Sequence, residues 1–165
     1  MVKLRAIEPE DIDVLYETEN DRELWDVGVT TVPYSRDVLR KYILNTSLDV
    51  FDDRQVRMMI DNDEGATVGI VDVTNFDVRH QRAELAIVVF DKWRRMGYAS
   101  EAVRLVLDYC RRVMHLHQLY VVVGNDNIAS MRLFDKVGFE RIATLKDWIF
   151  DGGKYHSVIV FACFF

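Results

Sequence analysis

The stretch Arg94-Arg95-Met96-Gly97-Tyr98-Ala99-Ser100 lies between an apolar run that ends near Phe90 and a helix-period run that begins near Ala99. A helix start leaves amide N–H groups without intrahelical partners and carries partial positive charge, so a small residue there lets an anion approach the backbone. Flanking arginines add charge, and a pyrophosphate is the ligand such a turn would take. A plain tight turn with solvated Arg94 and Arg95 is the competing reading of so short a pattern. Two nucleotide folds can be tested in the same text. A dinucleotide fold needs an acidic residue roughly 20 positions on, where His117-Gln118-Leu119 and Val121-Val122-Val123 stand instead. A Walker loop needs Lys-Ser or Lys-Thr after its glycine, and here Tyr98-Ala99-Ser100 follows Gly97.

Glu84 is the first candidate for a general base. It sits in Arg82–Phe90 between Ala83 and Leu85, apolar neighbours of the kind that desolvate a carboxylate and strengthen it as a base. A surface carboxylate paired with Arg82 or with a charge on the next strand fits the same residues, and both readings stay open. Asp72, on the preceding apolar run, is the second candidate. His80, His115, His117 and His156 form no set with Cys or Glu at metal-ligand spacing, so no metal is expected. Cys110 and Cys163 each lie in apolar runs and read as reduced, structural thiols.

These residues need a frame to hold them. Val2–Arg5 predicts a strand; Pro9 with Glu10, Asp11 and Asp13 predicts a helix start; and Ser35 caps a helix carrying Val38, Leu39, Tyr42 and Ile43. Asn45–Gln55 reads as a loop. Val56–Ile60, Ala66–Thr74 and Arg82–Phe90 are strand-length and rich in Val and Ile, forming an antiparallel meander. Helical spacing returns from Ala99 to Met114, then come a strand at Gln118–Gly124 and a helix from Asn127 to Val137 stopped by Gly138. Ile142–Phe150 and Tyr155–Phe165 form a hairpin around Asp151-Gly152-Gly153-Lys154. The order β-α-α-β-β-β-α-β-α-β-β predicts one α+β domain over 1–165, a mostly antiparallel twisted sheet flanked by helices.

Arg94-x-x-Gly97-x-Ala99 resembles the Q/R-x-x-G-x-G/A pyrophosphate loop of the GNAT acetyltransferases. Asn127-Ile128-Ala129-Ser130 followed by Leu133-Phe134-Asp135-Lys136-Val137-Gly138-Phe139 is similar to that family's second signature, N-x-x-S then L-Y-x-K-x-G-F. The resemblance implies an acetyl-CoA-dependent N-acetyltransferase in which an amine attacks the thioester directly. It assigns to the cofactor the backbone of Ile87, Val88 and Val89, the loop Arg94 to Ser100, and Asn127, Ser130 and Phe134. Helix capping suits Asn127 equally well. The family's frequent general acid is the Tyr of the second signature, and Phe134 stands in its place. The thiolate then leaves unassisted or through water, or another hydroxyl serves, such as Tyr98, Tyr155 or Ser130. A non-catalytic acyl-CoA-binding sensor or scaffold is the alternative that Phe134 favours.

Within the family, Met114–Tyr120 and the Asp147–Tyr155 hairpin are similar to bacterial spermidine acetyltransferases and ribosomal-protein N-terminal acetyltransferases. The acceptor is therefore expected to be a polyamine-like small amine or a protein N-terminus. Polyamine enzymes carry acidic residues beside the corresponding Pro-Tyr, where Thr30-Thr31-Val32-Pro33-Tyr34 stands here; Asp26, Asp37, Asp49, Asp52 and Asp53 are other sources of negative charge. A net charge of -6 argues against nucleic acid or an anionic membrane as the main partner. With no apolar span or leader-like start in the text, a cytoplasmic protein is expected. The aromatic end, Phe161, Phe164 and Phe165, offers an edge to a homo-oligomer or fills the core.

Overall fold

The computed structural model describes residues 1–25, 32–45 and 50–165, with the side chains of 25, 50 and 51 also left out. Along the chain run β1 (Val2–Ala6), α1 (Ile12–Glu19), α2 (Arg22–Trp25), α3 (Arg36–Leu44), α4 (Val50–Asp53), β2 (Val56–Asn62), β3 (Thr67–Asp77), β4 (Arg82–Val89), α5 (Tyr98–Arg112), β5 (Gln118–Gly124), α6 (Ile128–Lys136), β6 (Glu140–Phe150) and β7 (Tyr155–Phe164). The strands form one sheet in the order β1-β2-β3-β4-β5-β7-β6, antiparallel except where β4 meets β5. This is the α+β architecture expected from the sequence, with two four-residue helices, α2 and α4, added. Each is too short for apolar periodicity to reveal it.

Adjacent strand residues alternate between the two faces of the sheet, and helices cover both. On one face Ala102, Val103, Val106 and Cys110 of α5, with Met131 and Phe134 of α6, pack on Val71, Val73, Leu85, Leu119 and Phe161. On the other, Leu15 of α1 and Leu39 and Ile43 of α3 pack on Met59 and Ile70. Ser35 caps α3 as expected, its hydroxyl accepting from the Val38 amide at 3.2 Å. Asn20 ties the end of α1 to the chain before α3: its side chain donates to the Tyr34 carbonyl and accepts from the Tyr34 amide, at 3.0 and 2.8 Å.

The meander is longer than its apolar runs. Asn75, the residue after the Ala66–Thr74 run, takes a left-handed φ of 52° at a register shift, and β3 continues through this bulge to Asp77. Asn tolerates that conformation better than most residues. Gly69 is needed for a different reason: a Cβ there would lie 2.3 Å from the Val88 carbonyl oxygen. Among the described residues, no helix is long and apolar enough to cross a membrane.

Candidate functional site

β4 and β5 run side by side only briefly. Arg82, Ala83 and Glu84 pair in parallel with Gln118, Leu119 and Tyr120, while β4 stays paired to β3 as far as Val89. The two strands therefore part just beyond Glu84 and Tyr120. The Phe90 amide donates to Val68 at 3.0 Å, so by alternation Val88 also points its backbone bonds towards β3. Ile87 and Val89 then turn theirs into the opening. An extended acyl-carrying arm could be held there as an added strand.

At the far end of that opening the chain makes the expected turn. Gly97 has φ 88° and immediately precedes α5, and Arg95 is also left-handed at 64°. Nothing lies within 4 Å of where a Gly97 Cβ would be, so the backbone at the helix start is open to a ligand. Arg94 is not a loose charge: its Nε donates to the Val89 carbonyl at 3.1 Å and it pairs with Asp91 at 2.8 Å, bracing the loop. Arg95 and Met96 are exposed, Ala99 is partly covered and Ser100 is buried. Tyr98 packs edge-on against Trp93, at the opposite end of β4 from Glu84. These features fit a pyrophosphate bound through the α5 amides, with Arg95 as the cation left to meet it.

Glu84 lies on the face covered elsewhere by α1 and α3, since it stands opposite Thr74, two residues from Asp72 on that face. Asn75 Nδ2 donates to Glu84 Oε2 at 2.8 Å, and the Tyr120 hydroxyl donates to the same oxygen at 3.4 Å. Among the described residues, both donors meet Oε2 and none reaches Oε1. Beside this trio opens a cavity of about 430 Å³ lined by Asn75, Asp77, Arg82, Gln118, Tyr120, Ile142 and Val160. Arg82 turns to Asp77 at 3.4 Å, so Glu84 is not its partner. Burial and the adjacent Glu84 charge raise the Tyr120 phenol above its ordinary range, which keeps its proton on at neutral pH.

Asp72 is placed differently. Its two carboxylate oxygens accept from Arg57 Nε at 2.6 Å and Nη2 at 3.0 Å, and Arg57 also pairs with Glu19 of α1. Burial opposes the Arg57 charge, but Asp72 and Glu19 outweigh it and hold the guanidinium firmly protonated. With both oxygens engaged by Arg57, Asp72 is less available as a free base than Glu84.

The second signature splits between surface and core. Asn127 caps α6, its side chain accepting from the Ser130 amide at 3.1 Å. Phe134 is only 2% exposed, with its ring 5.2 Å from that of Phe139 and 6.1 Å from that of Phe161. Tyr155 is exposed against Phe150 at the hairpin end. Cys110 packs under α5, and burial pushes its thiol up to about 12, as suits a structural residue. Of the acidic residues considered for the acceptor, Asp37 is exposed and pairs with Lys41, and Asp53 lines a second cavity between α3 and the turn from α4 to β2. Thr30, Thr31, Asp26 and Asp49 lie outside the described residues.

Asn75 and Tyr120 were not singled out from the sequence. For Tyr120 the signal is its place as the one hydroxyl in β5, and only the parallel register of β4 and β5 sets it beside Glu84.

Comparison with known proteins shows the family and the fold. Residues 2–140 match the family model described as an acetyltransferase (GNAT) domain. The chain is 26% identical to the spermidine N(1)-acetyltransferase of Escherichia coli K12, covering 96% of this chain and 83% of that protein. It is 23% identical to the enzyme of that name from Vibrio cholerae, covering 94% and 88%. The crystal structure of the Vibrio cholerae spermidine N-acetyltransferase with CoA and spermine superposes with a TM-score of 0.87 at 23% identity, over 99% of this chain and 95% of that one. Another structure of the Vibrio cholerae enzyme is described as dodecameric.

Proposed function

Because the chain belongs to the GNAT acetyltransferase family and carries an acetyl group from acetyl-CoA to an amine, we propose that its acceptor is a polyamine-like cation, deprotonated by Glu84. The observation that carries this reading is the position of Glu84: it stands where β4 and β5 part, with Oε1 unengaged among the described residues and a cavity beside its two partners. The names of the Escherichia coli and Vibrio cholerae relatives support a polyamine over a protein N-terminus.

Acetyl-CoA supplies the activated acyl group; the chain's residues bind it, align the amine and move protons. The α5 amides at Tyr98 and Ala99, opened by Gly97, and Arg95 hold the pyrophosphate. Ile87 and Val89 align the arm along β4, and an amide there polarises the thioester carbonyl. Five residue steps lead from Glu84 to Val89, about 16 Å of strand, so the phosphate site and the base sit at opposite ends of one extended substrate. The acceptor enters from the α1 and α3 face, where Glu84 and Asp77 outnumber Arg82 and favour a cation. Desolvation of the bound ammonium against this wall helps it lose a proton to the carboxylate.

A homo-oligomer belongs to the same proposal: β6 is the outer strand of the sheet, and Trp148 and Phe150 on it are exposed. Sedimentation of the intact chain tests it, a monomer at all concentrations being the contrary result. The acceptor is tested by thiol release from acetyl-CoA with spermidine, spermine, an aminoglycoside and peptides with free N-termini. Preference for the polyamines by kcat/KM supports the reading; turnover of the peptides alone would replace it with N-terminal acetylation.

A further inference from the structure

Phe134 leaves the reaction without the hydroxyl that the second signature would supply, and its ring is enclosed by Phe139 and Phe161. We propose that Tyr120, the last β5 residue paired with β4, is the acid that protonates the departing thiolate and exchanges its proton with Glu84. The inference rests on Glu84 being the base at this site. Two observations carry it. Tyr120 stands opposite Glu84 at the point where the strands part, and its hydroxyl is 3.4 Å from the same Oε2 that Asn75 holds. Tyr120 also lines the cavity beside Glu84, so in the proposed reaction one residue touches the base and borders the space assigned to the acceptor.

The protons balance. An ammonium acceptor sheds two on its way to an amide. Glu84 takes the first as the free amine forms and passes it to solvent. Glu84 Oε1 takes the other as the new N–C bond forms at the acetyl carbonyl. As the C–S bond breaks, the Tyr120 proton passes to sulfur, and the protonated Glu84 returns its proton to the phenolate. The products are the amide and the thiol, with Glu84 and Tyr120 restored.

The groups facing Tyr120 suit an acid that stays protonated until it is needed. Glu84 on β4 raises the phenol, Arg82 on β4 lowers it to a smaller extent, and burial raises it most. Asp77 of β3 lines the same cavity, and β7 brings only Val160 and Ala162. Glu140 of β6 lies one strand further along the row, opposite Ala162. The Glu19–Arg57–Asp72 cluster lies further along the same face.

Tyr120→Phe, which keeps the ring, is the first test, and retained CoA-induced thermal stabilisation checks its fold. The expected result is a loss of about 100-fold in kcat with KM for both substrates within about twofold, a modest loss for a positioned acid because a thiol leaves readily. The acid limb of the pH profile stays in place. Wild-type kcat in Tyr120→Phe, or an acid limb moved upward with little loss at the plateau, overturns the proposal; the latter would make Tyr120 a residue that merely positions Glu84. As a second probe, 3,5-difluorotyrosine at position 120 makes the phenol more acidic and is expected to draw an alkaline limb of kcat downward. An unmoved limb overturns the acid role. Failure of the Glu84 reading is distinguishable, because Glu84→Gln would then keep its rate while Tyr120→Phe is measured independently.

Discussion

Gly97 and Glu84 do unlike things at the two ends of β4. Gly97 contributes a conformation: with φ at 88° it turns the chain into α5 and leaves the first amides of the helix uncovered. Gly97→Ala forces a side chain into the left-handed region and places a methyl group where the phosphate would approach. The expected outcome, read by calorimetry and thermal melting, is about 1 kcal/mol of lost stability and at least tenfold weaker acetyl-CoA binding, with kcat at saturation little changed. Glu84 contributes a charge, and its use depends on Asn75 and Tyr120. The loop could be read from the sequence because Gly97 follows two arginines at a helix start and the second signature stands downstream of it. The hydrogen-bonded trio could not, because it joins three strands, and its members meet only through a bulge at Asn75 and a parallel register at Tyr120.

At the scale of elements, what matters is how α1 and α3 are fixed over the sheet. Arg57 joins β2 to Asp72 of β3 and Glu19 of α1 by short ion pairs, beneath the Tyr42 ring of α3. These are largely buried charges, so removing Arg57 takes away the cation that Asp72 and Glu19 share. Arg57→Met is expected to cost about 3 kcal/mol in denaturant unfolding. It is also expected to raise KM for the amine more than KM for acetyl-CoA, because the loosened helices cover the acceptor face. An equal rise in both would show that the cluster supports the whole sheet. Most elements were legible because Val and Ile runs, the α5 apolar face and the glycine stops are strong local signals. The engagement of Asp72 by Arg57 was not legible for a physical reason: a carboxylate on a strand looks the same in sequence whether it faces a ligand or an arginine 15 positions away.

For the whole molecule, acid is the relevant stress. Arg5 ties β1, β2 and the approach to α1 together, with Nη1 2.7 Å from Asp11 and Nε 2.7 Å from Asp61. Burial works against the Asp11 charge, yet the Arg5 bonds and the Glu8 amide overcome it and hold the carboxyl below its usual value. Asp135 is lowered by Arg141, and Asp151 by the Lys154 and Gly153 amides and His156. A lowered folded-state value stabilises the protein above the unfolded value, about 3.9, and that contribution is lost as pH falls through the folded one. Thermal melts from pH 7 to pH 2 should therefore hold nearly level until about pH 4 and then drop, and Asp11→Asn should flatten part of that drop.

The most direct test of how this chain works is the steady-state rate of Glu84→Gln with acetyl-CoA and spermidine, alongside calorimetric titration of the variant with CoA. The expected result is a loss of at least 100-fold in kcat, with CoA affinity unchanged because the phosphate turn lies at the other end of β4. A variant that binds CoA and acetylates spermidine at the wild-type rate would contradict Glu84 as the base.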